Sequence, residues 1–518
     1  MTEQKPFAET PPVPGWALLV TVFTGGACVL VIELMGTRML APYFGSGIYT
    51  WSALIAITMA ALSLGYAFGG HLADRLPRAR ILYSLCLAAG LWILSTPTLA
   101  RPLLAVLIQV PDVRIGVLLS ASLLFFPSLF TLGTFCPFVI RLMTREAENA
   151  GSVSGLVFAV STIGSLLGAL GTGFILIPNF GVVAIFTFCG SFLIALAMLA
   201  NFRPKFIGYS SILVSVLVLL MIVTGKRPGA ETSVELLGQV SSYYGQLQVI
   251  RKQGVKSLLV DGIGQNYVYQ DDATSTAYIN FISALPELRQ AQTKFSHKAL
   301  VIGLGAGQLP MRLQQQGLQP DVVEIDPEVG RLAEEHFGLD LNPEQIHYMD
   351  GRLFLLRTAN VYEYIALDAF NAEQIASHLL SMEALAEARA RLSRSGILAI
   401  NLTSLATAED VASLQATLRA VYDHVRVFSL DHGSTLTSIV FLASMQPIIL
   451  STEHTSLTGA RLADAKRFIA GELPELGSDT LLTDDYNPIS QQRKQVQLLW
   501  RKAMIDYLGN GSLDWLMF

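Results

Sequence analysis

Two hydrophobic rhythms divide the chain. Between residues 16 and 225 the apolar residues gather in long blocks at 16–35, 50–73, 80–97, 116–140, 153–177, 181–201 and 206–225. Each has the length of about 20 residues that a helix needs to cross a bilayer, which predicts about seven spans. From residue 229 onward the blocks shorten and the period changes. Gln246–Ile250, Ser257–Gly262 and Tyr267–Tyr269 alternate with period two between glycine turns, as strands of a small antiparallel β-unit do. Ala299–Ile302 is a short, wholly apolar run, which reads as a buried strand. It breaks at Gly303-Leu304-Gly305-Ala306-Gly307; two or three turns of helix follow, and Val322–Asp326 is a second buried strand that ends in acids.

The alternation then continues. Strand Ile346–Gly351 ends in Asp-Gly, with a helix from near Arg352, and strand Tyr364–Asp368 again ends in an acid. A helix near Met382–Leu392, a strand Ile397–Leu402, a helix near 408–422 and an antiparallel pair, His424–Leu430 with Thr437–Leu442, close the series. Strands alternating with helices make an α/β sheet, Rossmann-like in the style of the adenosylmethionine-dependent methyltransferases. The expected organisation is a polar tail at 1–15, a multi-span α-helical membrane domain at 16–228, a small β-unit at 229–290 and a nucleoside-binding catalytic domain at 291–518.

Composition adds exclusions. Of 518 residues 52% are apolar and 14% charged, against about 25% charged in a globular average. The net charge of −5 leaves no basic footprint for nucleic acid. Cys28, Cys86, Cys136 and Cys189 all lie singly in the apolar half, so neither a disulfide framework nor a metal site is expected. The first apolar block is longer than a signal peptide's core and reads as a retained span. Gly164 and Gly168 form a small-residue pair suited to close helix packing. If spans alternate, Arg75, Arg78, Arg80, Arg141, Arg145, Arg203 and Lys205 share one side, which the positive-inside rule makes cytoplasmic together with the N-terminus. Seven spans then place the soluble half outside, whereas sulfonium nucleosides are made in the cytosol. Either a segment such as 102–111 is re-entrant or the soluble half faces outward; the expectation adopted is a cytosolic catalytic domain on a multi-pass cell-membrane protein.

The chemistry concentrates at strand ends. Gly303, Gly305 and Gly307 let a backbone approach a ligand without an intervening Cβ. Glu324, Asp350 and Asp368 end three strands, where open α/β sheets bind their ligands. Glu324, about twenty residues past the glycines, suits the ribose hydroxyls, Asp350 the exocyclic amine of adenine, and Asp368 the reacting end. Any one of them alone would serve equally well as a helix cap or turn residue.

These residues carry a resemblance. Leu259-Val260-Asp261-Gly262-Ile263-Gly264-Gln265 is similar to the Leu-Asp-Gly-x-x-Gln of spermidine synthases, the polyamine aminopropyltransferases. The glycine loop, Val323-Glu324-Ile325-Asp326 and Asp350-Gly351 follow at family spacing, and Asp368-Ala369-Phe370-Asn371 stands at the family's Asp-Ser-Ser-Asp. The apolar half, His378-Leu379-Leu380 and Leu482–Pro488 look like bacterial members fused behind a membrane domain. The resemblance implies that Glu324, Asp350 and Gly351 bind a thioadenosine, that Asp368 accepts a proton, and that the protein is a homodimer.

The departures cluster at amine-holding positions. The family's Asp within its glycine loop is Ala306, the His of Tyr-His-Glu is Ile279 in Tyr278-Ile279-Asn280, the second acid of Asp-Ser-Ser-Asp is Asn371, and Tyr-Gln has become Tyr244-Gly245 with Gln246 one place late. Tyr244, Gln246, Tyr278, Asn371, Asp484, Asp485 and Tyr486 are the candidates for holding acceptor or donor tail. The donor is expected to be decarboxylated adenosylmethionine or adenosylmethionine itself, and the acceptor an amine or a membrane lipid. A different transfer or cyclisation from adenosylmethionine, or a transporter or sensor whose nucleoside-binding domain does not catalyse, are the alternatives.

Overall fold

The computed structural model describes residues 13–45, 48–110, 112–144, 146–200, 234–269, 276–289, 297–371, 374–431, 435–453 and 455–508. They form two compact units, one made of the helices before residue 201 and the other of residues 234–508.

The first unit contains α1 (Gly15–Phe44), α2 (Ile48–Arg75), α3 (Ala79–Leu107), α4 (Val113–Gly133), α5 (Phe135–Met143), α6 (Ala150–Gly171), α7 (Ile177–Asn179) and α8 (Val182–Ala200). Among the described residues six helical stretches are long and apolar enough to cross a membrane, α4 with α5 and α6 with the π-helical turn Thr172–Leu176 each counting as one. The expected run at 206–225 lies outside the described residues. Residues 102–107 continue α3 with Pro102 inside it, so the helix takes in most of the stretch 102–111 that the pattern offered as re-entrant. The helices pack through small residues. A Cβ on Gly164 would stand 2.1 Å from the Phe23 carbonyl oxygen and one on Gly168 2.6 Å from that of Ala27, while Ser165 Oγ donates to the Gly26 carbonyl at 3.0 Å. Apolar tails give helices no preference over lipid, so such close backbone approach supplies the packing that holds α1 to α6.

The second unit begins with an antiparallel meander of β1 (Val234–Ser241), β2 (Gln246–Lys252), β3 (Val255–Val260) and β4 (Ile263–Tyr269). Two-residue loops, Gln253-Gly254 and Asp261-Gly262, close its last two hairpins with all four φ positive, the geometry whose twist matches the strands. Next comes α9 (Ala277–Leu288). The pattern grouped this segment with the β-unit; its Tyr278, Phe281, Ile282 and Leu285 instead join Ala299, Val301 and Tyr364 in a core on one face of the larger sheet.

That sheet has seven strands: β5 (Lys298–Ile302), β6 (Gln319–Glu324), β7 (Ile346–Tyr348), β8 (Tyr362–Leu367), β11 (Leu392–Ser404), β12 (His424–Ser429) and β13 (Thr437–Ser444). The spatial order is β12-β13-β11-β8-β5-β6-β7. β13 runs antiparallel to both its neighbours, and the other pairs are parallel. Two-residue strands β9 (Phe370–Asn371) and β10 (Gln374–Ile375) pair separately. The chain reverses its winding between β5 and β8, which opens a crevice at their carboxyl ends. The helices are α10 (Gln308–Gln315), α11 (Pro327–Phe337), α12 (Gly351–Arg357), α13 (Met382–Ala390), α14 (Glu409–Val421), α15 (Gly459–Ala470), α16 (Ile489–Gln492) and α17 (Lys494–Leu508). This is the expected Rossmann-like architecture.

Candidate functional site

A cavity of about 460 Å³ opens at the switch point, lined by Gly303 and Gly305 after β5, Glu324 at the end of β6, Asp350 and Gly351 after β7, Asp368 after β8 and Asn401 in β11. The meander contributes Gln265 and Asn266, α9 contributes Tyr278, and α17 contributes Trp500.

Two glycines make the turn possible. Gly303 has φ +100°, and a Cβ there would stand 2.2 Å from the Asp368 carbonyl oxygen. Gly305 has φ +54°, and its Cβ would stand 2.0 Å from Asn266 Oδ1, which accepts the Ala306 amide at 2.9 Å. Both positions therefore exclude side chains for two reasons, a left-handed backbone and an occupied neighbourhood. Gly307, also left-handed, precedes α10.

Glu324 is buried, 8% exposed. Its Oε2 accepts the Leu304 amide at 2.9 Å and its Oε1 the Asp326 amide at 3.0 Å. Burial pushes the carboxyl above its ordinary range, against the opposing pull of those amides. The Ile325 amide pulls in the same direction as those amides, and an ionised carboxylate, with about four acceptor sites, keeps acceptor capacity beyond them. Asp350 caps α12, accepting the Leu353 amide at 2.9 Å through Oδ1, and its Oδ2 lies 2.8 Å from His378 Nε2. Burial pushes its pKa up, but the Leu353 amide and His378 together outweigh that and hold the carboxyl below the usual range.

Asp368 sits at the other end. Tyr278 Oη donates to its Oδ2 at 3.0 Å and Asn401 Nδ2 to its Oδ1 at 2.9 Å. Burial raises its pKa above the ordinary value, opposed by those two donors. Asn266 Nδ2 reaches back to Tyr278 Oη at 3.4 Å, which connects the glycine turn to the acid. Asn401 is buried and its Oδ1 meets no partner, an acceptor left over in the cavity wall.

Tyr244 and Tyr278 line this cavity. Gln246 does not: its backbone amide is tied to Asp261 Oδ1 at 2.9 Å, and Gln265 occupies the wall instead. Asp484, Asp485 and Tyr486 are likewise absent from the wall. Asp484 is taken up by a two-pronged pair with Arg352 at 2.7 Å, while Asp485 and Tyr486 face outward, Tyr486 64% exposed. Asn371 lies in β9, and its side chain is outside the described residues. No group of His, Cys, Asp and Glu able to hold a metal occurs among the described residues.

The pattern reading passed over Asn266 and Asn401. Each is a polar residue at a buried position of a strand, which is costly unless it is hydrogen-bonded, and each interrupts an apolar register (Asn266 beside Val268, Asn401 between Ile400 and Leu402). That signal was present in the chain.

No family model matches the chain. A polyamine aminopropyltransferase from Vibrio vulnificus is 32% identical over 194 residues, 35% of this chain. Over that stretch the chain is similar to the polyamine aminopropyltransferases, the spermidine synthases. The match spans 62% of that relative's length. A second polyamine aminopropyltransferase, from Corynebacterium efficiens, is 25% identical over 437 residues, 78% of this chain and 80% of that one. An alignment of that length extends past the spermidine synthase-like half into the helical one. A probable spermidine synthase of known structure from Corynebacterium glutamicum has 17% identity and TM-score 0.38, covering 50% of this chain and 92% of its own.

Proposed function

We propose that the second unit transfers a three-carbon arm from a sulfonium nucleoside to an amine, with release of methylthioadenosine, and that the helical unit holds it at a cell membrane. The observation that carries this reading is Asp368, fixed by Tyr278 and Asn401 at one end of a cavity whose other end presents Glu324 and Asp350. Nucleoside binding by the glycine turn, Glu324, Asp350 and Gly351 leaves the sulfonium arm directed toward Asp368.

The chemistry asks little of the protein. The sulfonium is already a good leaving group, so the main task is to align the nucleophile. An alkylammonium, with a pKa of about 10, must lose a proton before its lone pair can attack. Asp368 takes that proton, the nitrogen displaces sulfur from carbon, and the electron pair of the broken C–S bond leaves with the now neutral thioether. Burial raises the Asp368 pKa, which makes it a stronger base than a solvated aspartate.

One observation favours undecarboxylated adenosylmethionine as donor. Ala306 is wholly buried in the glycine turn with its amide held by Asn266, so this position offers neither a carboxylate to attract the arm's ammonium nor one to repel a donor carboxylate. The acceptor class, an amine or an amine-bearing lipid, a homodimeric state and a cytosolic catalytic unit complete the reading. The deciding experiment incubates full-length protein with adenosylmethionine or its decarboxylated form, with and without putrescine, and identifies the nucleoside by mass spectrometry. Methylthioadenosine supports arm transfer, and adenosylhomocysteine would replace it with methyl transfer. No nucleoside product from either donor, with nucleoside binding intact, would favour a non-catalytic sensor.

A further inference from the structure

The segment Leu482–Pro488 is absent from the cavity wall yet is fastened to the loop beside it by many bonds. Asp484 pairs with Arg352 Nη1 and Nη2 at 2.7 Å each, and Arg352 pairs in turn with Glu387 through Nε and Nη2 at 2.9 Å each. Arg352 Nη1 also donates to the His378 carbonyl at 3.3 Å, and Asn487 Nδ2 donates to the Ser377 carbonyl at 2.9 Å. The strap is itself anchored, with Leu482 oxygen accepting the Met382 amide at 2.7 Å and Glu383 Oε2 accepting the Asp484 amide at 2.9 Å. Two of these bonds, from Arg352 and Asn487, end on the carbonyls of residues 377–378. His378 then reaches into the cavity and meets Asp350 Oδ2 at 2.8 Å.

We propose that His378 is a positioning residue that, by holding Asp350, makes the pocket select a 6-amino over a 6-oxo purine, and that Asp484 and Asn487 act in turn through His378. This rests on the reading that Asp350 receives the exocyclic amine of the base. Asp350 Oδ1 spends one lone pair on the Leu353 amide and Oδ2 spends one on His378, so the carboxylate is held in one rotamer and acceptor-only at its remaining sites. An exocyclic amine donates to those sites. A 6-oxo group places acceptor against acceptor, which a freely turning or protonated carboxyl could relieve but this one cannot. The depressed pKa of Asp350 accords with a carboxylate kept ionised by its neighbours.

The test is titration calorimetry on the full-length protein in detergent with methylthioadenosine and methylthioinosine. The wild type is expected to prefer methylthioadenosine. His378→Ala should weaken it about 10-fold, the scale of one hydrogen bond to a charged group, and should lower the adenosine-to-inosine ratio. His378→Gln, which keeps an N–H donor, should restore most of that ratio. Asp484→Asn and Asn487→Ala should lower it in the same direction, read alongside thermal unfolding. His378 is half exposed, 50% at its side chain, so its variants carry the test even where a strap variant fails to fold. An unchanged ratio in His378→Ala, with Asp350→Ala weakening methylthioadenosine, overturns this inference alone. A wild type that binds neither nucleoside overturns the reading beneath it as well.

Discussion

Asp368→Asn separates chemistry from fold more cleanly than any other substitution in this site. The carboxylate takes one hydrogen bond from Tyr278 and one from Asn401. An asparagine can satisfy both partners, because its Oδ1 still accepts from Asn401 while its amide donates to the tyrosine hydroxyl, which can turn to accept. Packing and hydrogen-bond count are therefore conserved, and only the base is lost. A positioned general base contributes about 10²–10⁴-fold, or roughly 3–5 kcal/mol of barrier at about 1.36 kcal/mol per decade. Stability moves the other way. Burial raises the folded-state pKa of Asp368, so its stabilising contribution is full below the unfolded value of about 3.9 and is lost as pH rises through the raised one. At neutral pH the ionised form is a burden on the fold, and the asparagine variant should unfold at an equal or higher temperature than the wild type. The assay is methylthioadenosine release by mass spectrometry across pH, paired with thermal unfolding. The wild type should show an acid limb displaced above the ordinary aspartate range, and the variant should lose that limb with its rate down by about two to four decades. A variant within tenfold of wild type that keeps the limb would refute Asp368 as the proton acceptor; a lower unfolding temperature would refute the electrostatic account.

Tyr278→Phe removes the donor to Asp368 Oδ2, so turnover should fall about 10–100-fold and the acid limb should move to higher pH, because that donor lowers the aspartate's pKa; a pH–rate profile reads both. Gly305→Ala forces a side chain into a left-handed backbone and against Asn266 Oδ1, at a combined cost of about 2–5 kcal/mol; thermal unfolding and nucleoside titration should both register it. Arg493→Met strands Asp410 in the core, where the pair is 0% exposed on both sides at 2.8 Å; breaking such a buried pair costs about 3–5 kcal/mol, visible as a lower denaturant midpoint.

How much of this was legible depended on how local the encoding is. β5 and β8 are wholly or nearly wholly buried runs of five or six residues and β6 ends in a buried Val322-Val323-Glu324, and runs of that kind declare themselves in any sequence. The glycine turn and Glu324 lie within about twenty residues of each other, and their partners are backbone amides that any sequence supplies. The reacting end is built differently. Asp368 depends on Tyr278 from α9 and Asn401 from β11, 90 and 33 residues away, and on Asn266 in the meander behind them. No spacing rule connects those four. The segment 277–288 falls within the expected β-unit at 229–290, whereas tertiary burial of Phe281 against Phe428 and Phe468 holds it as a helix. Asp484, Asp485 and Tyr486 are expected at the amine site, whereas the cation that Asp484 meets is Arg352.

This difference in encoding also bears on how the site can change. Glu324 is fixed by backbone amides and Asp350 by one amide and a histidine, so substituting side chains around Asp368 leaves the placement of these two acids intact. Asp368 is fixed by side chains alone. An exchange at Tyr278 or Asn401 would alter the basicity and orientation of the acid without disturbing Glu324 or Asp350. Ala306 lies at the junction of the two regimes. Its amide, held by Asn266, belongs to the turn, while on the proposed reading its side chain stands where the transferred arm would meet charge. A single substitution at that position can therefore select between donors that share an adenosyl group and differ only at the end of the arm. Ala306→Asp is the direct probe. The position is wholly buried, so a carboxylate there is stable only when an ammonium reaches it. Decarboxylated adenosylmethionine should accordingly gain on adenosylmethionine in competition for the site, and an unchanged ratio in a folded variant would mean that the arm does not pass this residue.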